Sequence, residues 1–177
     1  MATTTWNQDI NAGSDWNAAI NLMKKDNTNR DVRGCNFSSK VKRHYTSAAF
    51  QEISIVIKNG TLGTLTFNLT DAQTTIMKNG KYLYDVELIE APVLTVSGAL
   101  GNFAEDEIIT GTSGATGKVI VHDAPSNTIK YEATSGTFVA DETITGSSTS
   151  TETVVSLKTG DTERVIAGVI TVRPEVT

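Results

Sequence analysis

Part of this chain is written twice. Gly101-Asn-Phe103-Ala-Glu-Asp106-Glu107-Ile-Ile109-Thr110-Gly111-Thr-Ser113 realigns without a gap on Gly136-Thr-Phe138-Val-Ala-Asp141-Glu142-Thr-Ile144-Thr145-Gly146-Ser-Ser148, at an offset of 35 residues. Val119 and Val154 continue the match. Shared Thr and Gly content does not by itself place Phe, Asp-Glu and Ile in fixed register, so the segment is a duplication. Missing a repeat miscalls a whole fold, and this one therefore sets the frame for every other reading. It predicts that Phe103 and Phe138 are buried in equivalent places, with Ile109 and Ile144 beside them.

The flanks follow a different pattern. Trp16, Ala18, Ile20 and Leu22 alternate with polar partners, the period-two mark of a half-buried strand. Phe37, Val41 and Tyr45 sit at strand-compatible spacing after an Asp26–Asn29 loop. Ile53, Ile55 and Ile57 form another strand, closed by the turn signal Asn59-Gly60. Leu65, Phe67 and Leu69 make the next. Thr70 or Asp71 is placed to cap a short helix through about Met77, with Asn79-Gly80 as a left-handed stop. Tyr82, Tyr84, Val86 and Leu88 give a further strand. A last one runs from Arg164 to Val172, limited by Pro174.

The expected fold is all-β: an antiparallel β-sandwich of residues 1–90 plus 161–177, with a small β-module of two repeats, residues 91–160, inserted at a hairpin tip. Insertions are best tolerated at such exposed tips. Charge breaks at the same boundaries. Residues 1–90 carry ten basic and nine acidic side chains, residues 91–160 three and eight, and residues 161–177 two and three.

Several function classes lose support at this point. Cys35 is the only cysteine, so neither an intrachain disulfide nor a cysteine-built zinc site is available. Met1 to Ser14 shows no basic-then-apolar signal pattern, and runs such as Val165–Ile170 are too short to span a membrane. A soluble protein made in the cytoplasm is expected.

Gly111-Thr-Ser-Gly114-Ala-Thr-Gly117-Lys118 resembles a phosphate loop only superficially. Thr112 stands where the first glycine belongs, and Val119 replaces the metal-binding hydroxyl. The pairs Asp106-Glu107 and Asp141-Glu142 read as solvated turns rather than cation sites, because adjacent carboxylates on a strand point to opposite faces. His44 and His122 stand alone, and no GxSxG elbow occurs. No catalytic residue, cofactor or metal ligand is predicted, and the chain is not expected to be an enzyme.

Arg30, Arg33, Lys40, Lys42 and Arg43 form a modest basic cluster, with Lys40 and Lys42 on one strand face. No long basic track suggests nucleic acid. Trp6 lies in a polar arm, Met1–Asn11, without a core pattern of its own. An aromatic in such an arm suits anchoring on a neighbour. Trp6, Arg30, Arg33 and Lys42 are therefore the candidate partner-docking residues.

The flanking pieces, joined across the insert, resemble a known family. Asn11-Ala-Gly13-Ser-Asp15-Trp16 resembles the "aGsdW" opening of a phage virion domain, and Asp31-Val-Arg-Gly34 resembles its "DLTG" turn. Thr70-Asp-Ala-Gln-Thr74, Gly80-Lys-Tyr82-Leu-Tyr84-Asp85-Val-Glu-Leu88 and Arg164 to Thr177 resemble its second half. The family is similar to the N-terminal domain of baseplate upper proteins of long-tailed phages, found also at the start of tail fibres.

The resemblance implies a β-sandwich that docks receptor-binding parts onto a tail. It makes other phage structural proteins the expected partners, with multiple copies or a homo-oligomer in the virion; the residues themselves predict no nucleic acid or membrane partner. The insert is absent from the usual pattern. A capsid-decoration subunit, or a glycan- or receptor-binding module using the repeat, are the alternatives.

Overall fold

The computed structural model describes residues 4–49, 51–98, 102–148 and 150–174. Gly101 of the first repeat, Met1–Thr3 of the arm and Glu175–Thr177 of the resemblance lie outside them. The protein is all-β. Its elements are, in order, β1 (Thr4–Thr5), β2 (Gln8–Asn11), β3 (Trp16–Asn21), β4 (Asn36–Lys42), β5 (Ser54–Asn59), β6 (Thr64–Leu69), α1 (Asp71–Thr75) and β7 (Gly80–Ile89). Then follow β8 (Val93–Val96), β9 (Ile108–Gly111), β10 (Thr116–Asp123), β11 (Thr128–Ser135), β12 (Thr143–Gly146), β13 (Thr151–Lys158) and β14 (Thr162–Arg173). The chain divides into two compact units: one runs to Ile89 and resumes at Thr162, and the other is Glu90–Asp161.

In the first unit β4, β7, β14 and the β1/β2 pair form one sheet, and β5, β6 and β3 form a second. One core joins them: Leu65, Phe67 and Leu69 of β6 pack in the same cluster as Val41, Tyr84, Val86, Leu88, Ile166 and Ile170. The alternation along β6, with Leu65, Phe67 and Leu69 buried between half-buried neighbours, is what a strand with one covered face demands. α1 begins at Thr70 with a reciprocal capping box to Gln73. It ends at Thr75 with Ile76 as a right-handed cap, earlier than expected, and Gly80 (φ 129°) opens β7 instead of stopping a helix.

The antiparallel expectation needs one correction. β1 and β2 run parallel to β14, with Thr4 opposite Ile166 and Gln8 opposite Ile170. The arm is therefore part of the sheet. Ile10 is buried, Trp6 packs on Phe67 (5.4 Å between ring centroids) and Trp16 (6.1 Å), and the Tyr84 hydroxyl donates to the Trp6 carbonyl. Gly168 permits this approach, since a Cβ there would overlap that same carbonyl. Burial pushes the Tyr84 phenol well above its ordinary range, so it remains a donor.

The second unit is a closed barrel in the order β10-β11-β8-β13-β12-β9. Its hydrogen-bond register repeats the 35-residue offset. Val119 faces Tyr131 and, after a bulge, Val121 faces Lys130; Val154 faces Val96 and, after the same bulge, Ser156 faces Thr95. Two pairings are self-related. Leu94 faces its own equivalent Ile129, and Thr110 faces its equivalent Thr145.

Equivalent strands paired antiparallel at equivalent residues define a pseudo-twofold axis across the barrel wall. Each repeat thus supplies three strands, and neither closes alone. Phe103, Phe138, Ile109 and Ile144 are all buried in this core.

Ile89 and Thr162 face each other on β7 and β14, so the second unit occupies a hairpin connection. Replacing residues 90–161 by an Asn-Gly turn is expected to leave a folded β-protein that retains the near-ultraviolet signal of Trp6 and Trp16. A random-coil circular dichroism spectrum would show instead that the first unit depends on the second.

Candidate docking face

The four residues singled out from the sequence do not form one site. Arg30 is buried, and its guanidinium donates to Glu163 at 2.9 Å. Its loop is tied down by three backbone bonds: Leu22 N to Gly63 O, Arg30 N to Leu22 O, and Val32 N to Gly60 O. Arg33 makes a forked contact with Asp31, with Nη2 donating at 2.8 Å. Both arginines hold the 22–34 loop in place rather than face a partner. Glu163→Ala takes the carboxylate away from this buried guanidinium and is expected to cost about 3 kcal/mol. Chemical denaturation measures this, and an unchanged midpoint would show the pair to be ornamental. Trp6, as described, turns its ring onto the domain's own core.

Lys42 is placed differently. With Lys40 it stands on the β4 face opposite the buried Val41. β4 pairs with β7 so that Lys40 lies across from Asp85 and Lys42 from Leu83. β14 lies on the other side of β7 and adds Arg164 and Ala167. These residues and Tyr45 line a shallow cavity of about 140 Å³, with Asp85 as the only carboxylate among the described residues of its wall. Tyr45 is 82% exposed beside it. Three cationic side chains, Lys40, Lys42 and Arg164, thus stand around an exposed tyrosine.

Local sequence pattern does not bring Tyr45 and Arg164 to this face. Its spacing predicts Tyr45 in a strand, but it lies just past the end of β4. Arg164 reaches this face only through the β7–β14 pairing, a contact across the whole insert that local pattern does not reveal.

The chemistry-bearing motifs of the insert are absorbed by its structure. The Gly111–Gly114 segment is the β9–β10 turn, with Gly114 N donating to Gly111 O, and Lys118 pairs with Asp106. Asp106 and Asp141 occupy the left-handed region (φ 68° and 66°).

Their neighbours correct the solvated-turn reading: Glu107 and Glu142 are buried. Glu107 accepts from Ala104 N, Ser148 N, Ser148 Oγ and Ser147 Oγ. Glu142 accepts from Val139 N, Ser113 N and Ser113 Oγ. Each carboxylate thus grips the turn of the opposite repeat. Gly111 and Gly146 make room, because a Cβ at either would overlap the Glu142 or Glu107 carboxylate.

His122 Nδ1 accepts from Phe103 N. Among the described residues no group of three or more His, Cys, Asp and Glu side chains is arranged to hold a metal ion. No described helix is long and apolar enough to cross a membrane. No protein-family model matches this chain, and no curated protein matches it.

Proposed function

We propose that this chain is a non-enzymatic structural protein of a bacteriophage particle, an adaptor at the tail baseplate or fibre-attachment region that acts by protein–protein docking. The supporting observation is that the segments carrying the family resemblance hold one another in place. Asp15 of the opening motif accepts from Asp71 N at 2.7 Å, and Thr74 Oγ1 donates to Ser14 O at 2.9 Å. Asp31 caps its own turn by accepting from Arg33 N, and Gly34 takes a left-handed conformation there (φ 66°). β7 and β14, the remaining segments of the resemblance, pair along ten positions. Motifs that specify a fold jointly are what a family of attachment domains would share.

The basic, tyrosine-bearing face on β4 is the surface offered for docking. Glycan capture through the repeat finds less support. Phe103, Tyr131 and Phe138, the aromatics of the insert, are buried in the barrel and unavailable for stacking on a sugar.

The test is mass spectrometry and immunogold labelling of purified particles. A fixed copy number at the tail tip is expected. Label spread over the head would move the assignment to capsid decoration, and absence from particles would overturn it.

A further inference from the structure

The two sheets of the first unit differ in width. The larger spans four strand positions, β4, β7, β14 and β1/β2, whereas the smaller has three, ending at β3. Beside β3 lies a groove of about 500 Å³. One wall is Thr4, Trp6 and Ile166; the other runs from Ile20 through Leu22 and Met23 to Lys24 and Lys25. Among the described residues β3 pairs only with β6, through Trp16–Leu69 to Asn21–Thr64, and no described strand covers its other edge. Leu22 N donates to Gly63 O, which by alternation aims the backbone groups of Asn17, Ala19 and Asn21 away from β6, along that open edge.

We propose that this edge receives an extended segment of a neighbouring protein, which adds as a strand along β3, inserts an apolar side chain between the sheets, and places Asp or Glu against Lys24 and Lys25. The backbone edge supplies the ladder that strand addition requires. Half-buried Trp6 and Ile20, with Met23 at 52% exposure, supply an adaptable apolar floor. Among the described residues the charged side chains lining the groove are the two lysines, which favours acidic flanking residues. Natural sheets blunt open edges because they are templates for pairing, and lysines at one end of this edge discourage non-specific pairing while admitting an acidic strand. Strand capture at β3 is independent of where the chain resides.

Trp6 and Trp16 are the only tryptophans, and Trp6 lines the groove, so their emission reports occupancy. The probe is a capped nonapeptide alternating Val or Ile with Asp or Glu, titrated into the chain of residues 1–177. A saturable shift in emission is expected. It should weaken at least tenfold in Lys24→Glu/Lys25→Glu, whose altered side chains are exposed and whose fold circular dichroism verifies. It should vanish when alternate peptide amides are N-methylated, and it should not appear with Lys in place of the peptide's acids. Equal response to acidic and basic peptides, insensitivity to N-methylation, or no change up to millimolar peptide would each overturn the proposal. Sedimentation showing a dimer of this chain broken by Lys24→Glu/Lys25→Glu would overturn it in favour of a second copy.

Discussion

Deleting residues 1–11 is expected to abolish cooperative unfolding of the first unit. Those residues read as a polar arm, yet β1 and β2 form the parallel border of the larger sheet. Removing buried Ile10 forfeits about 1.5–3 kcal/mol, and the loss of the Trp6 ring from against Phe67 and Trp16 forfeits a similar amount. The Tyr84 hydroxyl also loses its acceptor, at about 1–3 kcal/mol for a buried donor left unmade. Together these approach the whole stability of an ordinary domain, about 5–15 kcal/mol. Thermal denaturation followed at the aromatic near-ultraviolet bands reads the result. Trp6→Phe, which keeps an aromatic ring and the backbone strand, should retain a sharp transition. A truncated chain melting like the intact one would mean that β14 tolerates an open edge and that the arm is dispensable after all.

The reason the arm escaped notice is physical. Thr4-Thr5 and Gln8–Asn11 are too short to show a period, and among residues 4–11 only Trp6 and Ile10 are large and apolar. What makes them strands is β14, more than 150 residues away along the chain. By contrast β3, β5, β6 and β7 were legible because each carries its own alternation, and α1 because Thr70 and Gln73 form a local cap.

The candidate site divides the same way. The sharing of one face by Lys40 and Lys42 follows from strand parity alone, whereas Arg30 and Arg33 look the same in sequence but are consumed by Glu163 and Asp31. In the insert, the duplication revealed the buried Phe and Ile positions. It also held an unused signal. Glu followed six residues later by Ser recurs in both copies, Glu107 with Ser113 and Glu142 with Ser148, and each Glu bonds the other copy's Ser. An exchange between copies is invisible to a reading that treats each copy alone.

That exchange carries the second large effect. Substituting Glu107→Gln together with Glu142→Gln should destabilise the barrel by about 4 kcal/mol, near 2 kcal/mol for each set of charge-assisted bonds. Among the described residues these two equivalent sites share no hydrogen-bond partner, so their costs should add. A glutamine offers one oxygen and one NH2 where the carboxylate offered two acceptors, so one end of each side chain must face a backbone N–H with a donor.

The same contacts set a pH dependence. Desolvation on burial pushes both carboxyls up. The opposing bonds, from Ser148 and Ala104 to Glu107 and from Ser113 and Val139 to Glu142, outweigh it and leave both below their ordinary value of 4.5. A carboxyl with a depressed folded pKa binds its proton more readily when unfolded. Its contribution is therefore whole above about pH 4.5 and disappears as pH falls through the folded value. The stability gap between the native chain and the double Gln variant should accordingly be widest at neutral pH and close progressively below pH 4.5. Urea denaturation of the barrel at a series of pH values measures that gap, and a gap independent of pH would mean the carboxylates act by shape alone.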